Sequence, residues 1–359
     1  MSHNCPLVCE ILTFLTRVSD NRCPSYNALM KVFICGISAL QFLLAYGSLQ
    51  RRAFGARSGY SLKPTRAIPR SGVVPDGSTV RRLGFPEGIR TNTLHVNVAD
   101  ASSRGRSSLL TYHVWTGPER GSYLTVDDIY CVQTPEACFA QLAEELKFAH
   151  LVELGMLLCG TYVPEDFPGV AHADLEPLST PEKLTRYVER LHAKKGLRNA
   201  RMALRYVLPG SASPQESKLG VAFGLPTRHG GFGMQPVLND EIKLTDQARG
   251  LSWARTRKPD LYWPDKDVCL DYDSREWHDL QARGDADERR RNELAAMGLK
   301  GIVARPSDVR DAAALEALAL QVASAMGVTP RESKTKDLAA KRFSLFQDLY
   351  GKNQWNPAL

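Results

Sequence analysis

The chain has 359 residues, enough for about two domains at roughly 150 residues each. Hydrophobic residues at 43% and charged residues at 24% are ordinary for folded globular chains and exclude a largely disordered one. A net charge of +7 favours an anionic partner, nucleic acid or a membrane surface, without choosing between them.

In chain order, residues 1–50 read as short buried helices. The apolar run from Val32 to Tyr46 is shorter than the roughly 20 residues a membrane span needs, and it contains Ser38 and Gln41. No positively charged opening precedes a cleavage-type site, so the expectation is no signal peptide, no membrane and a cytoplasmic chain. The eight cysteines form no CxxC pair and no zinc-type spacing with histidine, which fits reduced, mostly buried thiols. The group Cys5, Cys9, Cys23 with His3 is set aside as packing.

From Ala53 to Val126 the pattern turns to Gly, Pro, Ser and Arg, with short alternating runs at Leu94–Val98 and Leu109–Val114 that read as small strands. Residues 51–120 hold 12 Arg or Lys against Asp76, Glu87, Asp100 and Glu119. Such a stretch suits a phosphate backbone, and equally a solvated basic surface. Thr134-Pro135-Glu136 and Thr180-Pro181-Glu182 then open two helices, each followed by an apolar stripe. The breaker-rich run Pro209–Pro214 marks a domain boundary, leaving an α+β domain over 1–210.

From Pro214 on, the expected order is helix 214–224, a Gly-rich turn, a strand near 241–245, a strand 258–263, a strand 268–273, helix 285–297, strand 301–305 and helix 308–326. That is an α/β unit over 211–326, with an α-β-β-β-α-β core. Residues 327–359 form a basic tail in which Leu338–Tyr350 reads as a docked helix.

Lys258–Trp263 and Val268–Asp273 flank a four-residue Pro/Asp turn and read as a β-hairpin. If it is symmetric, Trp263 pairs with Val268 and Asp260 lies opposite Asp271, with Cβ atoms about 5 Å apart. Alternation puts Asp260, Tyr262, Cys269, Asp271 and Asp273 on one face, and Leu261, Trp263, Val268, Leu270 and Tyr272 on the core face. Three carboxylates on one face are costly unless a cation neutralises them, and Mg²⁺ or Mn²⁺ bound by oxygen fits that need. The plain alternative is a hairpin whose aspartates are wet. Glu216, on the preceding helix, stands at the edge of a buried face, but Ser213-x-x-Glu216 with Pro214 is also a capping box.

Glu216, Pro259-Asp260 and Asp271-Tyr272-Asp273, in that order on helix, strand and strand, resemble the PD-(D/E)XK nuclease superfamily. Asp271-Tyr272-Asp273-Ser274, His278, Asp287-x-x-Arg290 and Leu294-x-x-x-Gly298 further resemble very-short-patch-repair-like endonuclease domains of unknown function from bacteria. The resemblance covers about residues 211–326; the upstream part only vaguely resembles abortive-infection antitoxin-type proteins. It implies a restriction-endonuclease-like fold and metal-dependent phosphodiester hydrolysis, in defence or repair. Glu216, Asp260 and Asp271 would ligate Mg²⁺ or Mn²⁺, Asp273 and His278 would assist catalysis, and Arg290, Arg291 and Lys258 would meet nucleic acid.

One departure is that Asp273 stands where the superfamily pattern has lysine. His278, Lys258 or Lys266 would then have to position water or stabilise charge. His278 is equally a surface residue beside Trp277, and Asp287 with Arg290 equally an i, i+3 ion pair. DNA is the expected partner, with RNA as a rival substrate and a catalytically silent DNA-binding regulator as the rival function. A dimer would suit double-strand cutting. No Walker-type loop and no dinucleotide-binding turn is present.

Overall fold

A computed structural model describes residues 31–53, 62–75, 77–83, 89–116, 121–167, 175–246, 255–274, 292–329 and 336–357. The contacts of the chain divide it into two units, which are not the linear segments that the break at Pro209–Pro214 suggests. The first comprises residues up to Glu145, Val163–Ala200 and Asn356–Leu359; the second comprises Leu146–Tyr162 and Arg201–Trp355. The expected C-terminal tail thus falls in the second unit as far as Trp355 and in the first from Asn356, and a helix from the expected N-terminal domain falls in the second.

The first unit is α/β around a six-stranded mixed sheet. Its strands are β1 (Val32–Ile34), β2 (Lys63–Thr65), β3 (Leu94–Val98), β4 (Leu110–Val114), β5 (Tyr123–Thr125) and β6 (Tyr130–Gln133), in the order β2-β5-β6-β1-β3-β4. β1 lies parallel to β6 and antiparallel to β3, so it sits centrally and is wholly buried. Here the expectation of helices alone over residues 1–50 is corrected: a β-branched and aromatic run, Val32-Phe33-Ile34, pairs on both sides before Gly36 turns the chain into helix α1 (Gly36–Ala53). Residues 1–30, with Cys5, Cys9 and Cys23, lie outside the described residues.

Helices α2 (Gly77–Leu83), α3 (Pro135–Leu142) and α5 (Pro181–Arg190) belong to this unit, as do the first residues of α6 (Leu197–Ala203), and α3 packs on α1 and α5. Thr134 and Thr180 cap α3 and α5 by accepting from the backbone N–H three residues on, with proline at the first helical turn, as their sequences indicate. Cys35, Cys131, Cys138, Cys159 and Cys269 are all free and buried. Among the described residues no helix is long and apolar enough to cross a membrane.

The second unit holds a four-stranded sheet ordered β12-β11-β10-β7. Its strands are β7 (Val237–Leu238), β10 (Leu261–Trp263), β11 (Val268–Tyr272) and β12 (Lys300–Ala304). β7, β10 and β11 form an antiparallel meander, and β12 returns parallel to β11. A separate two-stranded ladder joins β8 (Ile242–Lys243) to β9 (Thr256–Arg257). The strand expected at 241–245 is therefore not the sheet's first strand. Asn239 turns the chain at φ 50°, so Val237 and Leu238 pair with β10 while Ile242 and Lys243 pair elsewhere.

Helix α4 (Phe148–Leu158) packs against α7 (Pro214–Gly224), which spans the residues expected of it. Ser213 Oγ accepts from Glu216 N–H at 3.2 Å, and Pro214 takes the first helical position, where its missing donor costs nothing. The helix stops where Leu225 turns extended ahead of Pro226. Leu219, Val221, Ala222 and Phe223 are buried, and Gly220 faces Met156 of α4. Trp263 seals β10 against this helix: its ring meets Phe223 edge-on at 5.4 Å, and its Nε1 donates to Met234 O at 3.0 Å.

Helix α8 (Ala312–Ala325) starts later than the expected 308, because Asp308 closes a short 3-10 turn at 306–309 and Asp311 caps α8 through Ala314 N–H at 2.8 Å. The last helix, α9 (Lys336–Leu349), buries Leu338, Leu345, Phe346 and Leu349, while Phe343 is 58% exposed.

Candidate functional site: a buried carboxylate pair

The hairpin has the register its sequence suggests. Trp263 pairs with Val268, Tyr262 with Cys269 and Leu261 with Leu270, so the next pair outward is Asp260 with Asp271. Pro264, Asp265 and Lys266 make a 3-10 turn, and Asp267 closes it in the left-handed region at φ 53°, a conformation Asp tolerates better than most residues.

The two carboxylates are tied to each other's backbone. Tyr272 N–H donates to Asp260 Oδ2 at 2.6 Å, and Asp260 N–H points at Asp271 Oδ1 at 3.4 Å. Just past the strand, Asp273 N–H donates to Ala304 O at 2.9 Å, which keeps β12 in register with β11.

The face carrying these carboxylates is largely covered, with Asp271 buried and Asp260 half-buried. Asp271 is 4% exposed, and Cys269 beside it is covered by Leu294 and Leu299, with Ile242, Tyr262 and Met297 around them. Both faces of β11 are therefore buried, and the assignment of a single core face is corrected: residues 292–296, in a helical turn leading to β12, cover the second one. A buried carboxylate without full compensation resists ionisation. Asp260 is pushed up to about 7, mainly by burial, with Glu216 and Asp271 adding like-charge repulsion against the Tyr272 N–H and Arg257. Burial also raises Asp271, opposed chiefly by Arg257.

Glu216 approaches from α7 as its sequence position suggests, and it is 7% exposed. Its side chain is not turned back on its own cap. Its Oε2 accepts from Ala212 N–H at 2.7 Å and from the Asn239 side-chain amide, which also donates to Gly210 O at 3.0 Å. Asn239 N–H in turn donates to Asp260 O at 3.2 Å. Asn239 thus links the helix carboxylate to the strand that carries Asp260.

The cation of the site is Arg257, which sequence reasoning passed over for its neighbour. Its Nη2 donates to Asp271 Oδ2 at 3.2 Å, and its Nη1 lies 3.9 Å from Glu293 Oε2. The Arg257 side chain is 16% exposed, and its Nε is buried with no acceptor among the described residues. Lys258 is turned outward instead, 59% exposed and 3.7 Å from Glu241. Lys266 sits on the exposed turn at the opposite end of the hairpin. Arg257 ends a two-residue strand, β9, just ahead of the expected strand 258–263, and neither it nor Asn239 or Glu293 carried a signal in the sequence.

His278, Arg290 and Arg291, like Asp287, lie outside the described residues. Among the described residues no group of three or more His, Cys, Asp and Glu is set to hold a metal ion. The acidic set is thus two directly linked carboxylates with a third nearby, and one Arg in contact. All three groups offer carboxylate oxygen, the donor type a hard divalent cation takes, but as described they do not converge on one ion. No family model, curated protein or solved structure matches the chain.

Proposed function

We propose that the second unit is a metal-dependent endonuclease domain of the PD-(D/E)XK type that hydrolyses phosphodiester bonds in DNA. The observation that carries this reading is Asp260 and Asp271 facing each other on adjacent strands below Glu216, with Asp260 held near neutrality. Supporting it, the helix that bears Glu216 precedes a mixed α/β sheet in which an antiparallel meander is joined by a parallel fourth strand, an order in keeping with the fold the sequence resemblance implies.

Mg²⁺ or Mn²⁺ is the implied cofactor, and Asp260 and Asp271, with Glu216 beside them, would hold it. When bound, such an ion polarises the phosphate and lowers the pKa of its water. The chain's own residues supply the rest. The backbone ties of Asp260 and Asp271 fix both carboxylates without help from solvent. Arg257 takes the part that a lysine at position 273 would play, a fixed positive charge beside the reacting phosphate.

A second reading has one observation in its favour. The Arg257 ion pair already neutralises Asp271, so the same fold could serve a catalytically silent DNA-binding protein. The test is cleavage of labelled plasmid, linear duplex, single-stranded DNA and RNA with Mg²⁺, Mn²⁺ or EDTA, comparing wild type with Asp260→Asn and Asp271→Asn. Metal-dependent cutting of DNA lost in both variants supports the nuclease; cutting of RNA alone reassigns the substrate. No cutting by wild type, with salt-sensitive DNA binding, leaves the silent reading.

A further inference from the structure

Apart from the carboxylates, the second unit has a cleft whose residues that chemistry leaves unused. The start of α4, the turn after α7 and one face of α9 line it. The His229 ring stacks on Phe148 with centroids 4.3 Å apart at 21°, and Tyr206 stands edge-on to both, 6.2 Å from Phe148 and 6.5 Å from His229. All three rings are half-buried, so each keeps some open surface.

The wall is rigid. Gly230 sits at φ 84°, and a Cβ there would collide with the Lys341 carbonyl, so the 227–230 turn lies directly on the backbone of α9. Arg228 bridges the rings: its Nη2 donates to Tyr206 Oη at 2.6 Å and its Nε to His229 Nε2 at 3.2 Å.

Charge in the cleft is one-sided. Asp348 is matched by Lys147 at 2.5 Å, and Lys341 by the exposed Asp337 at 2.6 Å. Arg228 is exposed, and among the described residues its guanidinium touches two neutral groups and no carboxylate. The effect registers on His229, whose ring is held below its usual pKa by burial, then by Arg228 and Lys341. A half-open aromatic wall with an unanswered guanidinium is what a nucleotide needs: a π-face for the base and a cation for the phosphate.

We propose that this cleft binds single-stranded nucleic acid, stacking a base on the Phe148, Tyr206 and His229 rings and seating a backbone phosphate on Arg228 and Lys341. A free phosphate has no use for the rings, and a duplex keeps its bases stacked on one another, so the combination selects an unpaired strand. The cleft shares no residue with the carboxylate group, and strand binding here does not depend on those carboxylates being catalytic.

The experiment is fluorescence anisotropy of the full chain in EDTA, which prevents cutting, with a labelled oligo-dT, the matching duplex and inorganic phosphate as competitor, over a range of salt. The Arg228→Gln/Lys341→Gln double variant is expected to bind oligo-dT about tenfold more weakly or worse, with a salt slope shallower by about 0.7 per lost phosphate contact. His229→Ala is expected to weaken binding about tenfold with the slope unchanged. Binding is read in EDTA, without the cation the nuclease reading needs, so a loss confined to the cleft variants separates this cleft from that reading. Arg228 is exposed, so a thermal midpoint equal to wild type accompanies Arg228→Gln and excludes unfolding. The proposal is overturned if wild type does not bind oligo-dT, if it prefers the duplex, or if both variants bind like wild type.

Discussion

Replacing Asp260 by Asn should make the protein more stable at alkaline pH while removing the group the proposed chemistry needs. In the folded chain Asp260 titrates at about 7, against 3.8 for an ordinary Asp, so the folded state binds this proton more tightly than the unfolded one. Stability is therefore fully present below about pH 4, falls as pH rises, and has lost its full share above about 7. At about 1.4 kcal/mol per unit, the loss at pH 8 is on the order of 4 kcal/mol. Asn is nearly isosteric with the protonated acid. Its amide oxygen keeps the bond from Tyr272 N–H, and its NH₂ faces Glu216 and Asp271 without repulsion. Urea unfolding followed through Trp263, which is 4% exposed in β10, should show a midpoint at pH 8 raised by about 1 M or more for Asp260→Asn, with wild type and variant converging at pH 4. Mg²⁺ should stabilise wild type at pH 8 and leave the variant unmoved, because only an ionised Asp260 gains from a cation. An equal effect of the substitution at both pH values would refute the argument, since Asp260 would then not be the buried, repelled carboxyl described above.

Three further outcomes follow from the same contacts. Arg257→Met leaves Asp271 and Glu293, 4% and 8% exposed, without their cation, and should lower stability by about 3–5 kcal/mol in a denaturation series; a loss below about 1 kcal/mol would mean the pair is not closed in solution. Trp263→Phe keeps the edge-on packing on Phe223 but strands the Met234 carbonyl, costing about 1–3 kcal/mol by urea unfolding. Ser213→Ala removes the cap of α7 and should cost about 1 kcal/mol, read as a lower thermal midpoint, with Glu216 still held by Ala212 N–H and Asn239.

Local signals carried most of the second unit. The register of β10 with β11 was legible because a Pro/Asp turn and an alternating apolar pattern leave one pairing that buries Leu261, Trp263, Val268 and Leu270 together. The bounds of α7 were legible from Ser213, Pro214 and the Leu225-Pro226 stop, all of which act within a few residues. What was not legible depends on distant partners. β7 is two residues long and owes its strand state to β10, and the cover over Cys269 comes from Leu294 and Leu299, some 25 residues on. Likewise β1 looked helical because a short buried apolar run has no period of its own, and only pairing with β3 and β6 makes it a strand. In the site, Asp260, Asp271 and Glu216 were readable from type and spacing, whereas Arg257 and Asn239 were not. Both reach the carboxylates through chain reversals, at 239 by a left-handed residue and at 257 by the β8–β9 ladder.

Arg257 is the residue on which the two functional readings divide. A buried ion pair rarely adds net stability, because desolvating both groups offsets their attraction, so Arg257 with Asp271 and Glu293 is weak evidence of a purely structural device. The arrangement is also incomplete as a structural one: two carboxylates share one guanidinium, Asp260 is left raised to about 7, and Arg257 Nε has no acceptor among the described residues. A site built only for stability would be expected to satisfy those groups or replace them with apolar ones. On the proposed nuclease reading, a divalent cation would offset the charge on Asp260, whereas the buried Arg257 Nε stays out of a substrate's reach. This is why the pH-dependent behaviour of Asp260→Asn, and its response to Mg²⁺, bears on the proposed function as well as on stability: perturbed carboxyls gather at functional sites and in structural ion-pair networks alike, and a cation that stabilises only the ionised form tells the two apart.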